Sequence, residues 1–215
     1  MTLLQIEAGQ RVDRPQKPEG LLCIFHGYGA DRENLYDIGL ALSQACPKKL
    51  ILIPNALQRF EGGGGGYQWF SLRDYRQAAM SKELSVTAPI VFSWLKKKLD
   101  ELSLTEEALE LVGFSQGAMV SLYLASSGLI KPEKILAYSG LFIPPIIKNS
   151  QEKNTQLLAI HGSADQVLTL DMTKKSYNLL KEYGLKHSLI VEKDLGHSIS
   201  NRGIKAGIDF ISQTL

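Results

Sequence analysis

Residues 109–125 read LELVGFSQGAMVSLYLA. A short apolar run rich in Leu and Val stops at Gly113, and a run with helical character begins at Gln116. A continuous apolar stretch of this length suits a strand buried on both faces of a parallel sheet. Ser115 stands at the corner between strand and helix. Gly113-Phe114-Ser115-Gln116-Gly117 fits G-x-S-x-G, the sharp turn that lifts a serine above the sheet. The glycines have a steric task, because a Cβ at either one would obstruct the close backbone approach of such a turn. With Gly and Ser each near 7% of residues, chance supplies about 0.07 matches in a chain this long. The competing reading is a tight turn in which Ser115 only caps the helix that follows.

The flanking segments alternate in the same way. GLLCIF (20–25), KLILIP (49–54), 108–112, KILAYS (134–139), LLAIHG (157–162) and HSLIVEK (187–193) read as strands. Between them, helices are expected over 30–45 with Asp31 as N-cap, over 81–102, over 116–127, from Asp171 as N-cap to Tyr183, and over 200–213. Pro89 either kinks the helix over 81–102 or starts its main section. Gly184 is placed to close the helix before it. This order implies an α/β fold with a mostly parallel sheet covered by helices on both faces. Sites in such sheets form at the carboxyl ends of the strands.

A serine hydroxyl needs a base, and the base needs an orienting carboxylate. With this turn the partners follow in the chain order serine, acid, histidine. Of the four histidines, His161, His187 and His197 follow Ser115, and His197 alone lies in a loop beyond a strand's carboxyl end. Asp165, just past strand 157–162, is the first choice of acid. Asp194 is a second choice, too near His197 in sequence to be preferred. The oxyanion of a tetrahedral intermediate requires preorganised N–H donors. The backbone N–H of Gln116 is one candidate, and that of Tyr28, in the glycine-flanked loop HGYGA (26–30), is the other.

FHGYGA, GFSQGAM, HGSADQV and GHSIS, in this order and over nearly the whole chain, resemble the carboxylesterase/acyl-protein thioesterase branch of the α/β-hydrolases. The resemblance implies one α/β-hydrolase domain over 1–215 without a large lid domain. It implies Ser115, Asp165 and His197 as catalytic triad, Tyr28 and Gln116 as oxyanion donors, and no metal or other cofactor. Its substrates would be esters, thioesters, acylated proteins or lysophospholipids. Two positions depart from the family pattern. Tyr28 stands where many relatives carry Leu, and Leu168-Thr169 stands where Val-Pro is frequent, which bears on the local loop shape.

EGGGGGYQWFSL (61–72) is not a phosphate cradle, since a P-loop ends in Gly-Lys-Ser/Thr and this run ends in Tyr67-Gln68-Trp69-Phe70. Relatives carry a similar aromatic pair here. Trp69 and Phe70 either line the substrate pocket, with the glycines as a movable rim, or only pack the loop onto the body.

Composition excludes several classes. The 215 residues are 44% hydrophobic and 21% charged, with a net charge of +2, too mild for a nucleic-acid binder. Lys96, Lys97 and Lys98 read as a solvated helix face. The start, MTLLQIEAGQRVDR, lacks the pattern of a secretory leader, and no stretch approaches a membrane span, so a cytoplasmic location is expected. Two cysteines without C-x-x-C argue against a disulfide framework. Oligomeric state, including a homodimer, is open. Two rivals to an esterase remain: a peptidase using the same triad, and a catalytically silent binding module.

Overall fold

The computed structural model describes residues 10–11, 15–152 and 154–213. Most of the N-terminal stretch read for a leader lies outside them. Among the described residues, strands β1 (Gln10–Arg11), β2 (Gly20–Phe25), β3 (Lys49–Ile53), β6 (Leu109–Phe114), β7 (Lys134–Tyr138), β8 (Gln156–Gly162) and β9 (Ser188–Glu192) form one sheet. Its order is β1-β3-β2-β6-β7-β8-β9, parallel throughout except for the antiparallel edge strand β1. Two further strands, β4 (Gln58–Arg59) and β5 (Tyr67–Gln68), pair as a separate hairpin.

Helices α1 (Tyr36–Ala45) and α5 (Asn201–Ser212) cover one face, and α2 (Gln77–Leu102), α3 (Gln116–Ser126) and α4 (Leu170–Tyr177) cover the other. The pleat explains the uniformly apolar strands. In β2, Leu21, Cys23 and Phe25 point into the core beneath α2 and α3, while Leu22 and Ile24 point to the core beneath α1 and α5. Both faces are therefore dry, as a parallel sheet requires. Buried polar residues interrupt the strands at Glu110, Lys134, His161 and Glu192; Glu110 in β6 is fully buried, with the Lys49 ammonium at 2.6 Å and that of Lys134 at 3.8 Å. Lys134 also donates to the carbonyls of Ile211 and Gln213, which closes the carboxyl end of α5 onto the sheet. Cys23 and Cys46 are buried and unpaired.

The expected elements are present with four adjustments, one being that the helix expected to Tyr183 stops at Tyr177 and is followed by a 3-10 turn over Leu180–Tyr183. Asp31 caps a short 3-10 turn (Arg32–Leu35) leading into α1. α2 runs unbroken through Pro89, beginning at Gln77, earlier than the pattern suggested. The N-cap of α4 is Thr169, whose hydroxyl accepts the Met172 N–H, so Asp171 is not the cap. Asp171 lies inside the first turn and pairs with Lys175 at 2.7 Å. The helix starts earlier because Thr169, the departure from Val-Pro, supplies a side-chain acceptor that proline lacks. Gly184 closes the following 3-10 turn at φ 73°, as expected of a glycine there. No helix among the described residues is long and apolar enough to cross a membrane.

Candidate active site

Ser115 occupies the single residue between β6 and α3, at φ 53° and ψ −114°. This is strained backbone for a residue with a side chain, costing about 1–3 kcal/mol, and it persists because its surroundings leave no alternative. A Cβ on Gly113 would run into the backbone of Gly117 and Ala118, and one on Gly117 into the carbonyls of Phe25 and His26. The Ser115 N–H donates to the Tyr138 carbonyl at 2.9 Å, tying the turn to the end of β7. The Ser115 side chain makes no helix-capping bond. Its hydroxyl faces His197 instead, with Oγ 3.0 Å from Nε2.

His197 Nδ1 lies 2.7 Å from Asp165 Oδ2, and the other carboxylate oxygen accepts the N–H groups of Val167 and Leu168, each at 2.9 Å. Burial alone would push the Asp165 carboxyl up. The hydrogen bonds from His197, Leu168 and Val167 overcome this and hold it below the ordinary carboxylate range. An ionised acceptor at Nδ1 assigns the imidazole proton there and leaves the Nε2 lone pair for the serine proton. The loops bearing the two groups are stapled together. Ser163 N–H donates to the Glu192 carbonyl, Ala164 N–H to the Leu195 carbonyl, and Asp194 N–H to Ser163 Oγ, all within 2.9 Å. Asp194 itself is exposed and lies 4.0 Å from Lys193, away from this role.

Two further histidines support the site from behind. His26 is fully buried, and its Nε2 accepts the Ala56 N–H at 3.0 Å. Nδ1 therefore carries the proton and donates to the Gly27 carbonyl at 2.8 Å. In a trans peptide the C=O and N–H point in opposite directions, so His26 orients the N–H of Tyr28 by holding the carbonyl of Gly27. That loop passes beside the serine, since a Cβ at Gly27 would lie 3.4 Å from the Cβ of Ser115. His161, also buried, donates from Nε2 to the Leu168 carbonyl at 2.7 Å and lies 3.4 Å from Asp165 Oδ2. It closes the turn whose N–H groups hold Asp165.

Burial lowers the pKa of both His26 and His161, so in the folded state each resists protonation. As pH falls through the ordinary histidine value of about 6.5, the unfolded chain takes up protons that the folded one refuses. Stability is expected to fall progressively below that pH. Melting temperatures measured from pH 8 to pH 5 check this, and a flat curve would contradict it.

Gln116 follows the serine, and its side chain is fully buried, accepting the Trp69 N–H and donating to the Phe70 carbonyl, both at 2.8 Å. Trp69 and Phe70 are fully buried too, and Trp69 Nε1 donates to the His26 carbonyl at 3.0 Å. The expectation that they line a pocket is corrected in favour of the packing reading. Neither side chain presents surface to a ligand, because the bonds from Gln116 and His26 draw the segment under the loops. Trp69→Ala is accordingly expected to destabilise by about 3–5 kcal/mol, with Km for the best ester changed little; urea denaturation and steady-state kinetics separate the two effects. The glycines at 62–66 form the tip of the β4–β5 hairpin, with φ from 76° to 100° at Gly63, Gly64, Gly65 and Gly66. Beside His197 lies a groove of about 340 Å³, lined by the apolar Leu35, Ile38, Phe114 and Ile199, the small Gly27 and Ala30, and the polar Asn34 and Ser198.

A strained serine, a histidine and a buried carboxylate joined in this order can activate a hydroxyl for acyl transfer. A sequence profile described as phospholipase/carboxylesterase matches residues 8–215. The chain belongs to the phospholipase/carboxylesterase family. It is 27% identical to esterase YpfH of Escherichia coli over 209 residues, covering 95% of this chain and 87% of that protein. It is 31% identical to acyl-protein thioesterase 1 homolog 1 of Dictyostelium discoideum over 174 residues, 77% of this chain and 76% of that one. The crystal structure of esterase PE8 superposes with a TM-score of 0.85 at 26% identity, covering 98% of this chain and all of that one. The fold is that of the α/β-hydrolases. This family member is an enzyme, a hydrolase of esters or thioesters.

Proposed function

We propose that this phospholipase/carboxylesterase is a single-domain serine hydrolase that cleaves carboxylic esters of short to medium acyl chains, and thioesters, through an acyl-enzyme. The observation that carries the reading is the continuous chain Ser115 Oγ to His197 to Asp165, at 3.0 and 2.7 Å, built on a strained serine. Ser115 Oγ attacks the carbonyl carbon while its proton passes to His197 Nε2. The carbonyl oxygen becomes an oxyanion that accepts from the N–H groups of Tyr28 and Gln116, the latter at the start of α3, where the helix dipole favours negative charge. Collapse breaks the bond to the alcohol or thiol, which takes the proton from His197. Water then repeats the sequence on the acyl-serine and releases the acid. Asp165 stays ionised and stabilises the imidazolium.

The groove beside His197 supports an acyl chain of modest size; acylated proteins are the larger substrates that the name of one relative suggests, and lysophospholipids those that the family resemblance implies. Hydrolysis of p-nitrophenyl esters from acetate to palmitate tests the reading, with an optimum at short or medium length expected. A fluorophosphonate probe should label Ser115. Absence of both turnover and labelling would leave a binding module.

A further inference from the structure

The carboxylate of Glu61 has an unusually complete set of donors for a loop residue. Oε1 accepts the Tyr28 hydroxyl at 2.5 Å and the Leu72 N–H at 2.9 Å. Oε2 accepts the Ser71 hydroxyl at 2.8 Å and lies 3.0 Å from Arg73 Nε. The Glu61 side chain is only 13% exposed, and its own N–H donates to Gln68 Oε1 at 2.8 Å. Burial would push the carboxyl up, but the donors from Tyr28, Leu72 and Ser71 outweigh it and bring the pKa to about 2. The donors thus favour the ionised form of Glu61.

Glu61 lies between β4 and β5, and that hairpin is joined to the 27–30 loop by its backbone. Gly29 N–H donates to the Tyr67 carbonyl at 2.9 Å, and Tyr67 N–H donates to the Ala30 carbonyl at 2.8 Å. The Phe60 ring meets the Tyr28 ring edge-on at 4.8 Å. Gly66 comes so close to the Gly29 carbonyl that a Cβ there would collide with it. The loop carrying Tyr28 is therefore held from two sides, by His26 through the Gly27 carbonyl and by the hairpin through the backbone of Gly29 and Ala30. The Tyr28 side chain remains as a third attachment, and Glu61 is its partner.

We propose that Glu61 is a positioning residue for the reaction: by anchoring the Tyr28 phenol it keeps the Tyr28 N–H aimed at the oxyanion. This rests on the reading of Ser115 as nucleophile and of the Tyr28 N–H as an oxyanion donor. A bare leucine at this position, as in the family pattern, has no such anchor; here tyrosine and glutamate act as a pair. The rival explanation is that Glu61 only stabilises the hairpin.

The test uses the whole chain with Tyr28→Phe, Glu61→Gln and the double variant, each normalised by fluorophosphonate labelling. Tyr28→Phe removes the hydroxyl but keeps the ring against Phe60. Misplacement by about 1 Å of a group that acts in the transition state lowers rates on the order of 10²-fold. A kcat reduced by about 10- to 10²-fold with Km changed less than about twofold is therefore expected for Tyr28→Phe, with a smaller loss for Glu61→Gln, whose amide oxygen still accepts. The double variant should be no worse than Tyr28→Phe alone, as befits two members of one contact. Affinity for an alkyl boronic acid, which forms a tetrahedral adduct on the serine, should fall by the same factor as kcat/Km, while inhibition by the free carboxylic acid product stays constant. Wild-type kcat and boronate affinity in both single variants, with only the melting temperature lowered, would overturn the proposal and leave the esterase reading intact. A wild-type chain that neither hydrolyses esters nor labels would overturn both.

Discussion

Replacing Ser115 with alanine is expected to lower ester turnover by up to ~10⁶-fold, the loss seen when a triad nucleophile is removed. The substitution is conservative for the fold. The turn is held by the Ser115 N–H on the Tyr138 carbonyl and by the glycines on either side, none of which involves the hydroxyl. The hydroxyl's partner is His197, which keeps its bond to Asp165. The variant should therefore melt near the wild-type temperature while failing to hydrolyse p-nitrophenyl butyrate. A rate within about tenfold of wild type, in a preparation shown to lack contaminating esterase, would remove Ser115 from the chemistry. Residual turnover of the variant above the rate in water is expected from the oxyanion donors.

Asp165→Asn is expected to reduce kcat by about 10⁴-fold, and the hydrogen bonds explain why an isosteric change has so large an effect. Oδ1 of Asp165 accepts two backbone N–H groups, from Val167 and Leu168. In asparagine only the oxygen can satisfy those donors, so the NH₂ must face His197. His197 Nδ1 then becomes an acceptor, the ring proton moves to Nε2, and the imidazole can no longer take the proton of Ser115. The signature is a large fall in kcat with fluorophosphonate labelling slowed in parallel and the melting temperature nearly retained. If Asp165→Asn labelled at the wild-type rate, another group would have to orient His197. His161 lies 3.4 Å from Asp165 Oδ2, but its Nε2 proton is committed to the Leu168 carbonyl.

Much of the fold is legible in the sequence. The strands of the parallel sheet announced themselves as apolar runs because both of their faces are buried, and helical spacing marked the segments between them. Ser115 stands out because the residues two before and two after it must be glycine for steric reasons, and Asp165 and His197, proposed as its partners, because they follow strands at the edge where sites form. The two-residue strands β4 and β5 were not visible, since pairs such as Gln58–Arg59 have no periodicity to read. Their pairing depends on partners elsewhere, among them the backbone of Gly29 and Ala30. Trp69 and Phe70 were open to two readings because an aromatic pair after a strand can face a ligand or the core. Only the bonds from Gln116 and His26 decide in favour of the core. His26 and His161 carry no sequence signal of their supporting role, which depends on the Gly27 and Leu168 carbonyls that their ring nitrogens meet.

The sequence by itself determined the order of elements, the α/β class and the identity of the serine turn, because these depend on periodicity and on sterics between near neighbours. The tertiary structure alone decided the distances at which groups meet. Ser115 and His197 are separated by 82 residues, His197 and Asp165 by 32, and Tyr28 and Glu61 by 33. A hydrogen bond requires placement to within a few tenths of an ångström, and no local pattern of residues encodes distance across a fold at that precision.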